Sequence, residues 1–509
     1  MFLWIQHHYK KRFLPTLVTF FGVVLIVSCP VMYALQAKTI SFDSYKIQCA
    51  DSRIEMFDYN GDGLDDIACA SNDRIYFYLQ GKSSGFSKKP DSEYAFKEPV
   101  VLAAPVLHTT GNRYDLLLMH HGGVRSIGYS ETSTTPTITS LIERTTILPL
   151  ENSSDYRFFF YPFVIHTVHK SPSVILPTSN AYEVWTRDEN GVWSHETTLQ
   201  SQPQHDLSVP GGFGVYIRNA SFSMNVQDLT SDNRADLTIG SVNYAQEKVD
   251  FQVYAQTQDG HIPSVPTQTI STSFMYEEWN CIHDINGDGR VDLIKNTWLK
   301  EPWFIPGTYS GKVLVRIFLA RDDFSIPDAP DYVFRKHDWM PRMPVVDIDG
   351  DGKTDLMLIY DRWRGREEVI KSLSSNKIDF NLRFHFYSDK GYSQSPDFQR
   401  DITIRTREAS IFSVLFLASS LLDSSLINLD GDFNGDGLRD LLIRDRFDTL
   451  SIYFFKSRKD GFSSKPDIVF DVANVGDYII RDFNRDGKSD LICKHFKQGE
   501  VTVFLSRMP

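Results

Sequence analysis

From Thr39 to the end of the chain, apolar and polar residues alternate in short runs broken by turn residues, with few stretches of helical spacing. A period of two marks strands that bury one face. The first full cycle reads Ile54-Glu-Met-Phe57, a loop, Ile67-Ala-Cys-Ala70 and Ile75-Tyr-Phe-Tyr-Leu79; a turn at Gly81–Gly85 with Phe86 and a fourth segment ending near Phe96 complete it. Near the end the same cycle returns as Asp440-Leu-Leu-Ile-Arg444, Leu450-Ser-Ile-Tyr-Phe-Phe455 and Asp460-Gly-Phe462. Four strands recurring every roughly 40–50 residues predict an all-β chain of four-stranded propeller blades.

The loop between the first two strands of a unit carries the chemistry. In Asp284-Ile-Asn-Gly-Asp-Gly-Arg-Val-Asp292, oxygen-bearing side chains occupy the first, third, fifth and ninth places: Asp284, Asn286, Asp288 and Asp292. The carbonyl of Arg290 at the seventh place can add another oxygen. A hard cation such as Ca²⁺ takes six to eight oxygens at about 2.3–2.6 Å, and a tightly curled loop aims alternate residues at one point. Gly289 supplies the positive φ that folds the loop back. The spacing recurs at Asp58/Asn60/Asp62/Asp66 with Leu64 at the seventh place, and at Asp347/Asp349/Asp351/Asp355 with Lys353. It recurs again at Asp432/Asn434/Asp436/Asp440 with Leu438, and at Asp482/Asn484/Asp486/Asp490 with Lys488. A sixth, worn copy keeps Asp228, Asp232 and Asp236, with Thr230 at the third place and Asn233 in place of the glycine. The expectation is five calcium loops and a weaker sixth.

An EF-hand shares the first half of this spacing but needs a bidentate Glu at place twelve. Those places hold Cys69, Lys295, Leu358, Ile443 and Cys493, and the residues after place nine form strands. On these residues the chain resembles the FG-GAP/VCBS repeat family, the calcium-loop β-propellers best known from integrin α-subunit heads. The resemblance spans nearly all of the chain after its leader. It implies structural calcium and a role in adhesion or interaction.

Two further units have lost their ligands. One runs Val101–Leu107, a loop ending at Asp115, Leu116–Met119 and Val124–Tyr129; the other runs Phe158–Val168, a loop at His169–Ser173, Val174–Leu176 and Tyr182–Trp185. With these the count favours eight blades, with seven, usual in integrin-type heads, as the alternative. The last unit stops after Val501–Leu505, while Ile40–Ile47 has no unit of its own. The N-terminal strand is therefore expected to complete the last blade and remove two exposed edges. The longest loop-to-loop interval holds an expected insertion at about 362–427, whose Ile411–Leu417 run is apolar.

Ahead of the body, Lys10-Lys-Arg12 precedes an uncharged apolar run from Phe13 to Leu35. About 20 apolar residues span a bilayer as a helix, and basic residues before them stay on the cytoplasmic side. Residues 1–12 are expected as a basic cytoplasmic head. Residues 13–37 are expected as an apolar helix, either a retained membrane anchor or a signal peptide cut near Ala37; lipidation at Cys29 is a third route. The body, 38–509, would then face outside, where millimolar calcium fills weak loops. Cys49 and Cys69 flank the first loop and could pair; as small buried strand residues they would equally stay reduced.

The net charge of −12 and the absence of a basic stripe argue against nucleic acid as a partner. The expected partners are the membrane, if the leader is uncut, and a protein or glycan ligand. Trp279, Trp298, Trp303 and Trp339 are core or rim residues, or else sugar-stacking ones. No HExxH or P-loop occurs, and the one Gly-x-Ser-x-Gly string, Gly81-Lys-Ser-Ser-Gly85, lies in the turn between two strands and not at a strand-to-helix elbow. The expectation is a non-enzymatic, exported or membrane-anchored binding module. A calcium-dependent polysaccharide lyase or hydrolase, its acid and base drawn from distant blades, is the alternative.

Overall fold

The computed structural model describes residues 40–507 apart from 97–101, 147–158, 167–171, 202–205, 209–215, 219–223, 274–277, 300–311, 338–344, 362–374, 406–425 and gaps of one to three residues elsewhere. The expected leader at 1–37, the apolar run 411–417, Trp303, Trp339 and the side chains of Trp279 and Trp298 lie outside the described residues. Among the described residues no helix is long and apolar enough to cross a membrane.

Eight four-stranded antiparallel blades form a propeller ring. Blade 1 is Arg53–Phe57, Asp66–Ala70, Arg74–Tyr78 and Ser92–Ala95. Blades 2 and 3, which lack ligand loops, are built on Tyr114–His120 and Ser173–Pro177 as second strands. Blades 4, 5, 6 and 7 place Asp236–Asn243, Asp292–Leu299, Asp355–Asp361 and Asp440–Arg446 in the same second position. Blade 8 takes Val475–Arg481, Asp490–His495 and Glu500–Ser506 from the end of the chain, and its fourth strand, Phe42–Gln48, from the beginning. The expected closure is thus observed. Asp43–Leu505 is one compact unit, in which the amide of Cys49 donates to the Gly499 carbonyl at 2.6 Å. The chain ends belong to a second unit, where Arg507 N–H donates to the Ser41 carbonyl at 2.8 Å.

A disulfide joins Cys49, just past the closing strand, to Cys69 in blade 1. It encloses a sequence separation of 20 residues, for which loop-closure entropy in the unfolded chain gives about 3 kcal/mol.

One expected strand is divided. Phe159–Phe160 pairs in parallel with Leu102–Ala103 at the edge of blade 2, whereas blade 3 begins at Val164–Ile165. Pro162 stands between them and has no amide to continue a ladder. Within the span 362–427 the main described elements are the third and fourth strands of blade 6, Lys377–His385 and Phe398–Arg405.

The core lies between blades. Phe57, Phe77 and Ile75 of blade 1 pack with Leu116, Leu118 and Ile127 of blade 2, and blades 6 and 7 share a cluster around Phe384, Ile402, Leu429 and Phe462. A glycine–aromatic turn ahead of the fourth strand ties one blade to the previous one. Phe462 of blade 7 sits 5.0 Å from Phe384 of blade 6, and a Cβ on Gly461 would fall 2.4 Å from the Phe398 ring. Tyr392 of blade 6 meets Tyr332 of blade 5 edge-on at 5.3 Å. Phe86 of blade 1 meets Tyr45 of the closing strand at 6.3 Å. Burying one such ring stabilises the joint by about 2–3 kcal/mol.

Candidate metal centre

All six acidic loops adopt one backbone shape. The fourth and sixth places both have positive φ, including Gly287 (73°) and Gly289 (81°). The worn loop keeps the shape with Ser231 (56°) and Asn233 (63°), and the last loop does so with Arg485 (57°) at its fourth place. The fourth place also faces the next blade: a Cβ on Gly287 would lie 3.1 Å from the Gly352 carbonyl, and one on Gly435 3.1 Å from that of Gly487.

The loops are joined to one another. The amide at the eighth place donates to the preceding loop: Thr354 to Ile285 (2.9 Å), Arg439 to Ile348 (2.8 Å), Ser489 to Asp432 (2.6 Å) and Asp65 to Phe483 (3.0 Å). Asp284 N–H donates to Leu229 of the worn loop at 3.2 Å. The six loops therefore form a hydrogen-bonded arc over consecutive blades, from blade 4 through blade 8 to blade 1.

Within each loop the carboxylates turn inward. Asp284 accepts from the amides of Gly287 (2.9 Å), Asp288 (3.2 Å) and Gly289 (2.9 Å). Asp58, Asp347 and Asp432 repeat this set, and Asp228 and Asp482 keep part of it. At the fifth place Asp62, Asp232, Asp288, Asp351, Asp436 and Asp486 each accept the seventh-place amide. The side-chain Nδ2 groups of Asn60, Asn286 and Asn434 donate to the fifth-place Asp of their own loops.

The ninth-place Asp does more than its spacing announces. One oxygen of Asp292 accepts Ile285 N–H at 2.9 Å, and the other accepts Ala320 N–H at 2.7 Å, just past the third strand. Asp66, Asp236, Asp355 and Asp440 make the same clasp, to Gln80, Gln256, Tyr387 and Phe455. Asp490 accepts Phe483 and Asn484. Each of these carboxylates is buried. Burial pushes Asp66 up to about 8 and Asp292, Asp355 and Asp440 to about 7, against the backbone amides that favour their charged forms. A bound divalent ion reverses that balance.

The sign follows for the metal-free ring. A carboxyl whose folded pKa exceeds the unfolded value binds its proton more tightly when folded, so its contribution to stability is lost as pH rises from about 4 through its folded pKa. In chelator, the melting temperature is expected to fall between pH 5 and pH 8, and calcium to abolish that fall. A chelated ring that melts higher at pH 8 would contradict the assignment.

Blade 6 best shows whether these residues suit a cation. Ligand oxygens of Asp347, Asp349 and Asp355 lie within 4.8 Å of one another, the only such group among the described residues. That span matches oxygens on opposite sides of one Ca²⁺. Asp349 Oδ1 is buried without a hydrogen-bond partner, which the bare loop leaves unexplained and a cation would satisfy.

The worn blade 2 differs. Its ninth-place residue, Asp115, is buried, with His108 Nε2 3.9 Å from its carboxylate. Arg187 of blade 3 donates to the Leu107 carbonyl at 2.6 Å and adds positive charge near Asp115.

No family model matches the chain, and no curated protein matches it. Solved structures give distant likenesses. The Dos1 propeller has a TM-score of 0.40 at 8% identity over 91% of this chain and 93% of its own. An Agrocybe aegerita lectin, described by its specific recognition of non-reducing terminal N-acetylglucosamine, has 0.33 at 14% over 64% and 78%. A protein from Lactobacillus plantarum has 0.32 at 10% over 67% and 83%. Likenesses this faint carry no argument about function. The propeller is read from the strand pairing itself.

Proposed function

We propose that this chain is an exported calcium-bearing β-propeller of the FG-GAP/VCBS type, acting as a binding module for a protein or glycan rather than as an enzyme. The observation that carries the reading is the arc of six inward-turned acidic loops, joined carbonyl to amide from blade 4 to blade 1. Calcium would be held by the first-, third-, fifth- and ninth-place oxygens with the seventh-place carbonyl, and would neutralise each cluster. The ion stiffens the turns and so fixes the loops between strands, on which binding residues of such scaffolds ride. The Cys49–Cys69 disulfide supports export, because such bonds persist in oxidising compartments. Extracellular calcium, about 1 mM, suits loops of modest affinity.

The test is capture of the body (residues 38–509) on glycan and extracellular-protein arrays in calcium and in chelator. Retention in calcium and loss in chelator is expected. Chelator-insensitive capture would remove the calcium part of the reading, and release of cleaved polysaccharide would replace binding with catalysis.

A further inference from the structure

Five of the six loops carry a neutral residue at the third place: Asn60, Thr230, Asn286, Asn434 and Asn484. Blade 6 alone carries an acid there, Asp349, and so packs four carboxylates into one loop. That acid is met by a guanidinium from the next blade. Arg458 stands at the tip of the miniature hairpin Phe455–Ser457/Gly461–Phe462 of blade 7. Its Nε donates to Asp349 Oδ2, its Nη2 to Asp351 Oδ2 at 2.5 Å and its Nη1 to the Tyr387 carbonyl at 3.1 Å. Tyr387 is also the residue whose amide Asp355 clasps, at 2.9 Å. The hairpin is anchored on blade 6 by Phe462 against Phe384 and by Arg400, which donates to the Ser463 carbonyl at 2.5 Å.

We propose that Arg458 is a positioning residue that makes the blade-6 centre a two-blade site: it neutralises the extra charge of Asp349, occupies that carboxylate's outer oxygen and leaves Oδ1 directed to the cation. The inference rests on the metal reading above. Blade 1 provides a parallel. Its loop also holds four acids, and the extra one, Asp65, is met by Arg481 (3.0 Å) and Arg485 (3.3 Å) of blade 8. In both cases a neighbouring blade supplies the compensating charge, so cation binding and blade contact are coupled.

The test is a double-mutant cycle on the body: wild type, Asp349→Asn, Arg458→Gln and the pair, each melted in chelator at low and high salt. Arg458→Gln is expected to lower the melting temperature by about 2 °C or more at low salt and by less at high salt, since screening eases repulsion among the four carboxylates. The pair is expected to recover most of that loss, a non-additivity that contacting charges produce. Melting shifts with calcium and with terbium supply a second readout. The extra site charge in Arg458→Gln should raise the terbium shift relative to the calcium shift, because site charge tunes cation affinity, and the pair should bring the ratio back. Additive losses, salt-independent losses or an unchanged ratio would overturn the proposal. If neither ion shifts the wild-type melt, the metal reading fails, while the cycle in chelator still decides whether Arg458 balances Asp349.

Discussion

Removing calcium is expected to lower the melting temperature of the body, residues 38–509, by roughly 10 °C or more. A cation held at 100 times its dissociation constant adds about 2.7 kcal/mol per site to the folded state, and five loops carry the full ligand spacing. Unfolding entropy of about 2.1 cal/mol/K per residue makes 1 kcal/mol worth about 1 °C in a chain of this size. Without the ion, each loop keeps three or four carboxylates turned toward one centre, and their repulsion adds to the loss. The effect should spread along the arc, because an amide of each loop from blade 5 round to blade 1 (the eighth-place one in four of the five, Asp284 in blade 5) rests on a carbonyl of the preceding loop. Scanning calorimetry in about 10 mM calcium, which is 100 times a dissociation constant of about 0.1 mM, and in excess chelator measures it, and coincident melts would refute the expectation.

Asp292→Ala is expected to destabilise the ring by about 3 kcal/mol, in chelator as well as in calcium. Both Asp292 oxygens accept backbone amides, from Ile285 and Ala320. Truncation leaves those two N–H groups without acceptors in a buried place, at about 1–3 kcal/mol each; relief of the buried charge returns part of it. The melt should drop by about 3 °C, and Asp292→Asn, which keeps one acceptor, should lie between. Asp288→Ala, at the more exposed fifth place, should cost little in chelator and more in calcium. If Asp292→Ala were silent in chelator, the ninth-place carboxylate would be a ligand and nothing else.

Much of this was legible in the residues because the repeat is written in acids and glycines at fixed spacing. Asp58, Asp228, Asp284, Asp347, Asp432 and Asp482 each mark the turn between the first two strands of a blade. With the two ligand-free units they count to the eight blades observed. The orphan strand Phe42–Gln48 and the short last unit announced the closure. Three features were not legible. The tie from the ninth-place Asp to the third strand joins Asp66 to Gln80 and Asp292 to Ala320 across intervals of differing length, 14 and 28 residues, so no fixed spacing records it. The positive φ at the fourth place falls on Ser231 and Arg485 as well as on glycines, because contact with the next loop, and not residue type alone, sets the conformation. Arg458 comes from 109 residues away; one arginine among many has no local signal, and only the lone acid at Asp349 hinted that a partner was needed.

Equilibrium dialysis of the body against radiolabelled calcium at about 1 mM tests the central claim most directly. Five or six bound ions per chain are predicted, falling by about one when Asp284 and Asp288 are both replaced by Ala. A chain that binds none, or binds the same number after that replacement, would contradict the account.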